Sequence, residues 1–260
     1  MDNAQLAAAI ERYVRPDTFP VAARIWPQGE PLPEKARRPK EDLGARITIC
    51  QGVSIARRYG WTVAVDTADL SCPIAQVAFG FKPALEYYTR GSLAHGMYTE
   101  TQEAAARTEA AVPKLPPEEH GVVVLGPLAR AAFTPDAVVV YGNSAQVMVL
   151  VAAALWRRGG ELVSRFSARA DCADLIVRAV REREPQVILP CYGDRVFGQT
   201  QDHEMAFSFP YERAEEIVAG LEGTHKGGVR YPIPHYLRYE AHFPETYQKL
   251  SRMWEESGGD

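Results

Sequence analysis

"SIARRYGWTVAVDTADLSC", residues 54 to 72, lines up without a gap on "ALWRRGGELVSRFSARADC", residues 154 to 172, one hundred positions later. Arg57-Arg58, Gly60 and Cys72 face Arg157-Arg158, Gly160 and Cys172. In each copy a helical stretch closes on two arginines and a glycine, as helix C-termini do, because cations favour the free carbonyl end and glycine takes the left-handed cap. Upstream, "VAARIWPQG" and "AVVVYGNSA" pair as equivalent strands once an insertion is allowed in the first copy. Each half then reads strand, helix, strand, Cys-bearing turn, helix. With the right-handed crossover such units adopt, this predicts an α/β fold of two pseudo-symmetric halves, about 19–95 and 134–210, around mixed or parallel sheets. The alternative is ordinary helix-end chemistry recurring by chance; the cysteine falling in register favours duplication.

The rest of the chain fits around these halves. Leu6, Ala9, Ile10, Tyr13 and Val14 keep helical spacing until Pro16 stops it. Between the halves, 98–118 is an Ala- and Glu-rich linker helix with a Pro-rich end. "QVILP" reads as a buried strand, "EMAFSFP" as an edge-like strand and "YERAEEIVAGLEG" as an amphipathic helix capped by Gly223. The tail, 224–260, is dense in aromatic residues and proline and is expected to wrap across the body of a single domain, 1–260. The chain is long enough to bury a full core without covalent staples.

Net charge is −4 with scattered Lys and Arg, so the basic footprint of nucleic-acid binding is lacking. No window approaches the ~18 apolar residues of a membrane span, and the N-terminus lacks a signal-peptide core. The expectation is a soluble cytoplasmic protein, where structural disulfides are unusual.

That turns attention to the four cysteines, Cys50, Cys72, Cys172 and Cys191. Ser71 and Asp171 read as helix N-caps, placing Cys72 and Cys172 in first turns, where free N–H groups favour thiolate. Cys50 and Cys191 break the repeat, since Leu150 and Gly91 stand at the equivalent offsets. Cys191 follows the apolar run Val187-Ile188-Leu189, past a strand end, where α/β sheets bind ligands. Packing the halves about their pseudo-twofold brings Cys72 and Cys172 near the axis, with Cys50 and Cys191 completing a four-thiolate site for [4Fe–4S] or Zn²⁺. Separations of 22, 100 and 19 contain no CxxC pair, so neither a zinc ribbon nor a bacterial ferredoxin pattern applies, and buried structural cysteines remain the other reading.

The stretches "ICQGVSIAR", "DLSCPIAQVAFG", "VVVYGNSAQVMVLVAAALWRRGG", "SARADCADLIVRAV" and "ILPCYGDRVFGQTQDHEMAFSFP" resemble the domain of unknown function 169 family of bacteria and archaea, over about residues 20 to 240. "CYGDR" with "HEMAFSFP" is the most specific part. The resemblance implies cysteines matching Cys50, Cys72, Cys172 and Cys191, an iron–sulfur ligand set, and carries no reaction with it. Where the family often has Gly-Gly after the second motif's Cys-Pro, this chain has Ile74-Ala75.

Other residues are candidates beside the cysteines. Asp194 and Arg195 can orient a substrate carboxylate or a cluster-bound ligand, against a plain turn with an ion pair. His203 can donate a proton near neutral pH, against a solvated loop histidine. Arg165 and Arg169, ahead of Cys172, can neutralise cluster charge or bind an anion. Asn143 or Ser144 reads as an N-cap in a tight βα turn rather than as a phosphate loop. The leading expectation is an iron–sulfur protein with one [4Fe–4S] cluster, doing redox or lyase-like chemistry on a small molecule or serving a redox partner protein, with a homo-oligomer left open. The alternatives are a non-catalytic zinc or small-molecule module and a thiol enzyme with Cys191 as nucleophile.

Overall fold

The computed structural model describes residues 1–117, 120–233 and 241–258. Segments rich in valine and other β-formers make the strands β1 (Val21–Pro27), β2 (Val63–Asp66), β3 (His120–Pro127), β4 (Ala137–Gly142), β5 (Gln186–Ile188) and β6 (Met205–Pro210). They form one sheet in the order β2-β3-β1-β4-β6-β5. Every neighbouring pair is antiparallel, which corrects the expectation of mixed or parallel sheets.

The helices among the described residues are α1 (Asn3–Tyr13), α2 (Pro39–Asp42), α3 (Ile49–Ser54), α4 (Pro73–Ala78), α5 (Glu86–Thr89), α6 (Gln102–Ala111), α7 (Ser144–Leu155), α8 (Arg178–Glu182), α9 (Tyr192–Phe197), α10 (Ala214–Lys226) and α11 (Glu245–Glu256). A wider π-turn continues α3 over Ile55–Tyr59, and another leads into α8 over Ala173–Val177. Because side chains alternate across a strand, the sheet feeds two cores. Ala22, Val124, Val138 and Phe207 pack with α1, α7 and α10. On the other face Ala23, Val123, Leu125 and Val139 pack with α3, α4 and the π-turn ahead of α8. The result is a sheet between two helical layers.

The hundred-residue repeat does not survive as read. Gly159 and Gly160 take positive φ, 63° and 76°, and turn the second copy away. Residues 161–166 form no strand. Instead Ser164 Oγ accepts from Val187 N at 3.0 Å and donates to Val187 O at 2.8 Å, lying against β5 through a side chain. The arginine pairs differ too: Arg157 is exposed, whereas Arg57 is fully buried.

The strand the repeat left out is β3, which bonds both β1 and β2. The helix expected over 98–118 is the shorter α6, and it precedes β3 rather than separating two halves. Read inward from either edge, the sheet shows the second, third and first of three consecutive strands. Each third strand ends in proline and a 3₁₀ turn, Pro127 before Leu128–Arg130 and Pro210 before Tyr211–Arg213. β6 therefore lies inside the sheet, bonded to β4 and β5, rather than at an edge.

Two further expectations change at the C-terminus. Gly223 is no cap, because α10 runs on to Lys226. A Cβ there would come within 2.2 Å of the Trp156 ring, so the glycine serves the close packing of α10 on α7. α11 buries none of its residues, so this part of the 224–260 tail does not wrap the body; 234–240 lie outside the described residues.

Candidate metal centre

Four separate segments deliver the cysteines to one place. Thr48 starts α3 with a capping box, its hydroxyl accepting from Gln51 N at 3.0 Å, and so sets Cys50 in the first turn. Cys172 is the second residue of the helix that starts at Asp171 and continues through the π-turn into α8. Cys72 is itself the N-cap of α4, one place after the expected Ser71, and Cys191 is the N-cap of α9. By strand order Cys72, after β2, corresponds to Cys191, after β5, and Cys50 to Cys172. This replaces the sequence pairing of Cys72 with Cys172.

All four line one cavity of about 550 Å³ on the α3/α4 face of the sheet. A residue the sequence offered only as a helix cap completes its floor. Asp171 is 1 % exposed, and its carboxylate, Cys50 Sγ and Cys172 Sγ supply ligand atoms all within 4.8 Å of one another. Asp171 Oδ1 lies 3.9 Å from Cys50 Sγ and accepts from Cys191 Sγ at 3.1 Å and from Cys172 N at 2.8 Å. Oδ2 finds no donor among the described residues, and the acidic neighbour Asp194 can bond to Asp171 only by sharing a proton. An unmatched buried oxygen of this kind costs about 1–3 kcal/mol.

At Cys172 the electrostatics reverse the expected thiolate stabilisation. Burial and then Asp194 push the Asp171 carboxyl well above the usual range. The hydrogen bond with Cys172, burial and Asp171 raise the Cys50 thiol well above its ordinary value. For Cys172, the bond from Cys50 lowers the thiol, but burial and the negative neighbours outweigh it and push it up to about 11. Burial, Asp171 and Cys50 likewise raise Cys191. Low-dielectric surroundings with only acidic company penalise each charge, and the helix ends are too weak to compensate. A metal ion inverts this order, because it binds the deprotonated groups directly.

Beneath the floor the charges are matched. Asp194, also 1 % exposed, accepts from Tyr141 OH at 3.0 Å and from Thr200 Oγ1 at 2.6 Å. Arg57 lies 4.1 Å over the Tyr141 ring, donates from Nη2 to Thr200 at 3.3 Å, and holds Glu204 through two bonds, one at 3.0 Å. Burial alone raises the Glu204 carboxyl, and the bonds from Arg57 and Gln201 overcompensate and hold it below its usual range. Neither Tyr141 nor Glu204 stood out in the sequence, since only their long-range partners mark them.

Of the other expected site residues, Asp194 supports the floor from below and does not line the cavity. Arg169 does line it, but Nε and Nη2 both bond Glu109 Oε1, at 3.2 and 3.0 Å, and the guanidinium sits 4.5 Å over the Tyr98 ring. Arg165, 71 % exposed, meets Glu182 at 3.8 Å away from the cavity. Arg195 turns outward to Gln201 O at 2.9 Å, because successive side chains of the α9 helix point about 100° apart, so the residue after the inward Asp194 leaves the floor. His203 is exposed in the loop before β6. Asn143 caps α7 as expected, its side chain accepting from Ala145 and Gln146 N.

The DUF169 family model, described as uncharacterised ArCR, matches residues 9–220. The chain belongs to this family. All four cysteines and Asp171 of this DUF169 protein fall inside the match. "Uncharacterized protein MJ0308" of Methanocaldococcus jannaschii is 33 % identical over 122 residues, 46 % of this chain and 52 % of that protein, so the alignment spans about half of the relative. No solved structure matches significantly. No helix of the described residues is long and apolar enough to cross a membrane.

Proposed function

We propose that this DUF169 protein is an iron–sulfur protein holding one [4Fe–4S] cluster through Cys50, Cys72, Cys172 and Cys191. The observation that carries the reading is that the chain's four cysteines, from four segments, line a single cavity. The donor set fits: the thiols are free, buried or half-buried, and Asp171 beside them has an oxygen without a donor. Held by all four thiolates, a cluster would supply electron transfer; with one cysteine released and an iron open, it would supply Lewis-acid activation of a small molecule. The four cysteines would hold it, with Asp171 beside them, and Tyr141 and Thr200 fix Asp194, the acidic neighbour of Asp171. Free thiols suit a reducing, cytoplasmic setting. The matching strand orders of β1–β3 and β4–β6 further support reading the chain as two related units that each contribute two cysteines.

A second reading is favoured by one distance. Ligand atoms of Cys50, Asp171 and Cys172 within 4.8 Å of one another also suit a single Zn²⁺ with bonds of about 2.3 Å to sulfur. Anaerobic purification with iron, sulfide and zinc analysis, visible spectra and EPR separates the two. A cluster gives iron and sulfide in equal amounts and is lost in Cys72→Ser. Colourless protein with zinc alone, retained in Cys72→Ser, overturns the cluster and supports the single ion.

A further inference from the structure

The cavity is far larger than its metal-binding floor. At about 550 Å³ it falls in the range of small-molecule sites, about 300–1,000 Å³, whereas an electron-transfer or structural centre needs no such room. Away from the floor the wall is mostly apolar, with Ile74, Met97, Tyr98, Tyr192 and Phe197 its large members and Thr48, Gln51 and Ser71 uncharged polar ones. Met97, Tyr192 and Phe197 are 67, 63 and 55 % exposed, large apolar side chains held at a rim rather than folded into the core. Apolar surface gathered around a concave opening marks a binding site rather than a solvated face.

Charge narrows the class of ligand. The charged side chains that line the cavity are Arg169 and Asp171. Arg169 is already neutralised by Glu109, both nearly or fully buried, and the floor carries Asp171 and four cysteines. An anion would face an acidic floor with no uncompensated cation to meet it, and a cationic ligand, with the floor's acids taken up by the metal, would leave water for a mostly apolar wall.

We propose that the cavity takes a small, uncharged, largely apolar molecule, seated between the aromatic rim and the metal centre, which makes the centre substrate-facing. The charge argument rests on the metal reading above, while the apolar wall does not. Benzyl alcohol, benzoate and benzylammonium share one size and carry three charges, and serve as probes. Calorimetric titration into the metal-loaded protein is expected to show benzyl alcohol binding at least about tenfold more tightly than either ion, with Phe197→Ala and Met97→Ala together weakening it by about tenfold. Equal binding of all three, preference for either ion, or indifference to the rim substitutions overturns the proposal. Metal analysis of the same samples keeps the two readings apart. Metal-free protein that still binds benzyl alcohol through the rim sinks the metal centre and leaves the apolar site; metal-loaded protein that binds none of the probes sinks the apolar site alone.

Discussion

Two buried polar clusters lie back to back in this protein, joined through Asp194, and they solve the same problem in opposite ways. Around Arg57, each charge meets its complement: Glu204 takes two guanidinium bonds, and Thr200 and Tyr141 bridge to Asp194. At the cavity floor, Asp171 meets Cys50, Cys172, Cys191 and Asp194, all acidic. One carboxyl is held below its usual range and the other is pushed well above. Burial raises both carboxyls, more so at Asp171; at Glu204 the bonds from Arg57 and Gln201 reverse it, whereas at Asp171 the neighbour Asp194 adds to it. A self-sufficient ion pair stabilises a fold, whereas a nest of acids is suited to a cation.

Substitutions can break that contrast from either side. The largest effect is expected at the floor: Cys50→Ser or Cys172→Ser should reduce bound metal at least about tenfold, measured by metal analysis after gel filtration. Full retention in both would remove the floor as a site. Next, Arg57→Met leaves the buried Glu204 with only Arg58 at 3.4 Å and Gln201 N as partners and should cost about 2–4 kcal/mol in urea unfolding. A cost near zero would show that the matched cluster is ornamental.

The junction comes third. A Cβ on Gly198 would stand 2.0 Å from Asp194 Oδ1 and 2.8 Å from its carbonyl oxygen. Asp194 cannot yield freely because Tyr141 and Thr200 hold it. Gly198→Ala should therefore cost about 1–3 kcal/mol and weaken metal retention together, coupling the clusters. Loss of stability with unchanged metal content would uncouple them.

A pH comparison sharpens the difference in sign. In protein stripped of metal, Asp171 has a folded pKa above its unfolded one, so its contribution is full below the unfolded pKa and is lost as pH rises through the folded value. Asp171→Asn should then be more stable than the parent at pH about 8 and near equal at pH about 4. Glu204 has a lowered folded pKa, so its contribution is present above the unfolded pKa and lost as pH falls. Glu204→Gln should thus destabilise most near neutrality. Parallel pH profiles for the two variants would refute the contrast. The smallest effect is expected from Tyr141→Phe, about 1 kcal/mol, because Asp194 keeps its bond from Thr200.

Local patterns made much of the chain legible. The helical spacing from Leu6 to Val14, the cap at Asn143 and the apolar runs of β1, β2, β4, β5 and β6 all read correctly, because each depends on neighbours a few residues away. The four cysteines were visible as a set, and all four line one cavity. The repeat misled where local likeness stood in for pairing. Arg57 and Arg157 look alike in sequence, yet Arg57 is buried by Glu204, 147 positions away. Asp171 read as a cap because a carboxylate before a helix ordinarily is one.

The sequence by itself determined an α/β chain, membership of its family, and four thiols spread over segments that nothing local ties together. The tertiary structure decided that the sheet is antiparallel, since β3 enters between β1 and β2 through pairings that no short window encodes. It decided also which arginine is buried and that an aspartate stands among the thiols. Those outcomes depend on burial and on charge partners far apart in the chain, and the energy of a buried acid is set by what surrounds it rather than by its position in the sequence.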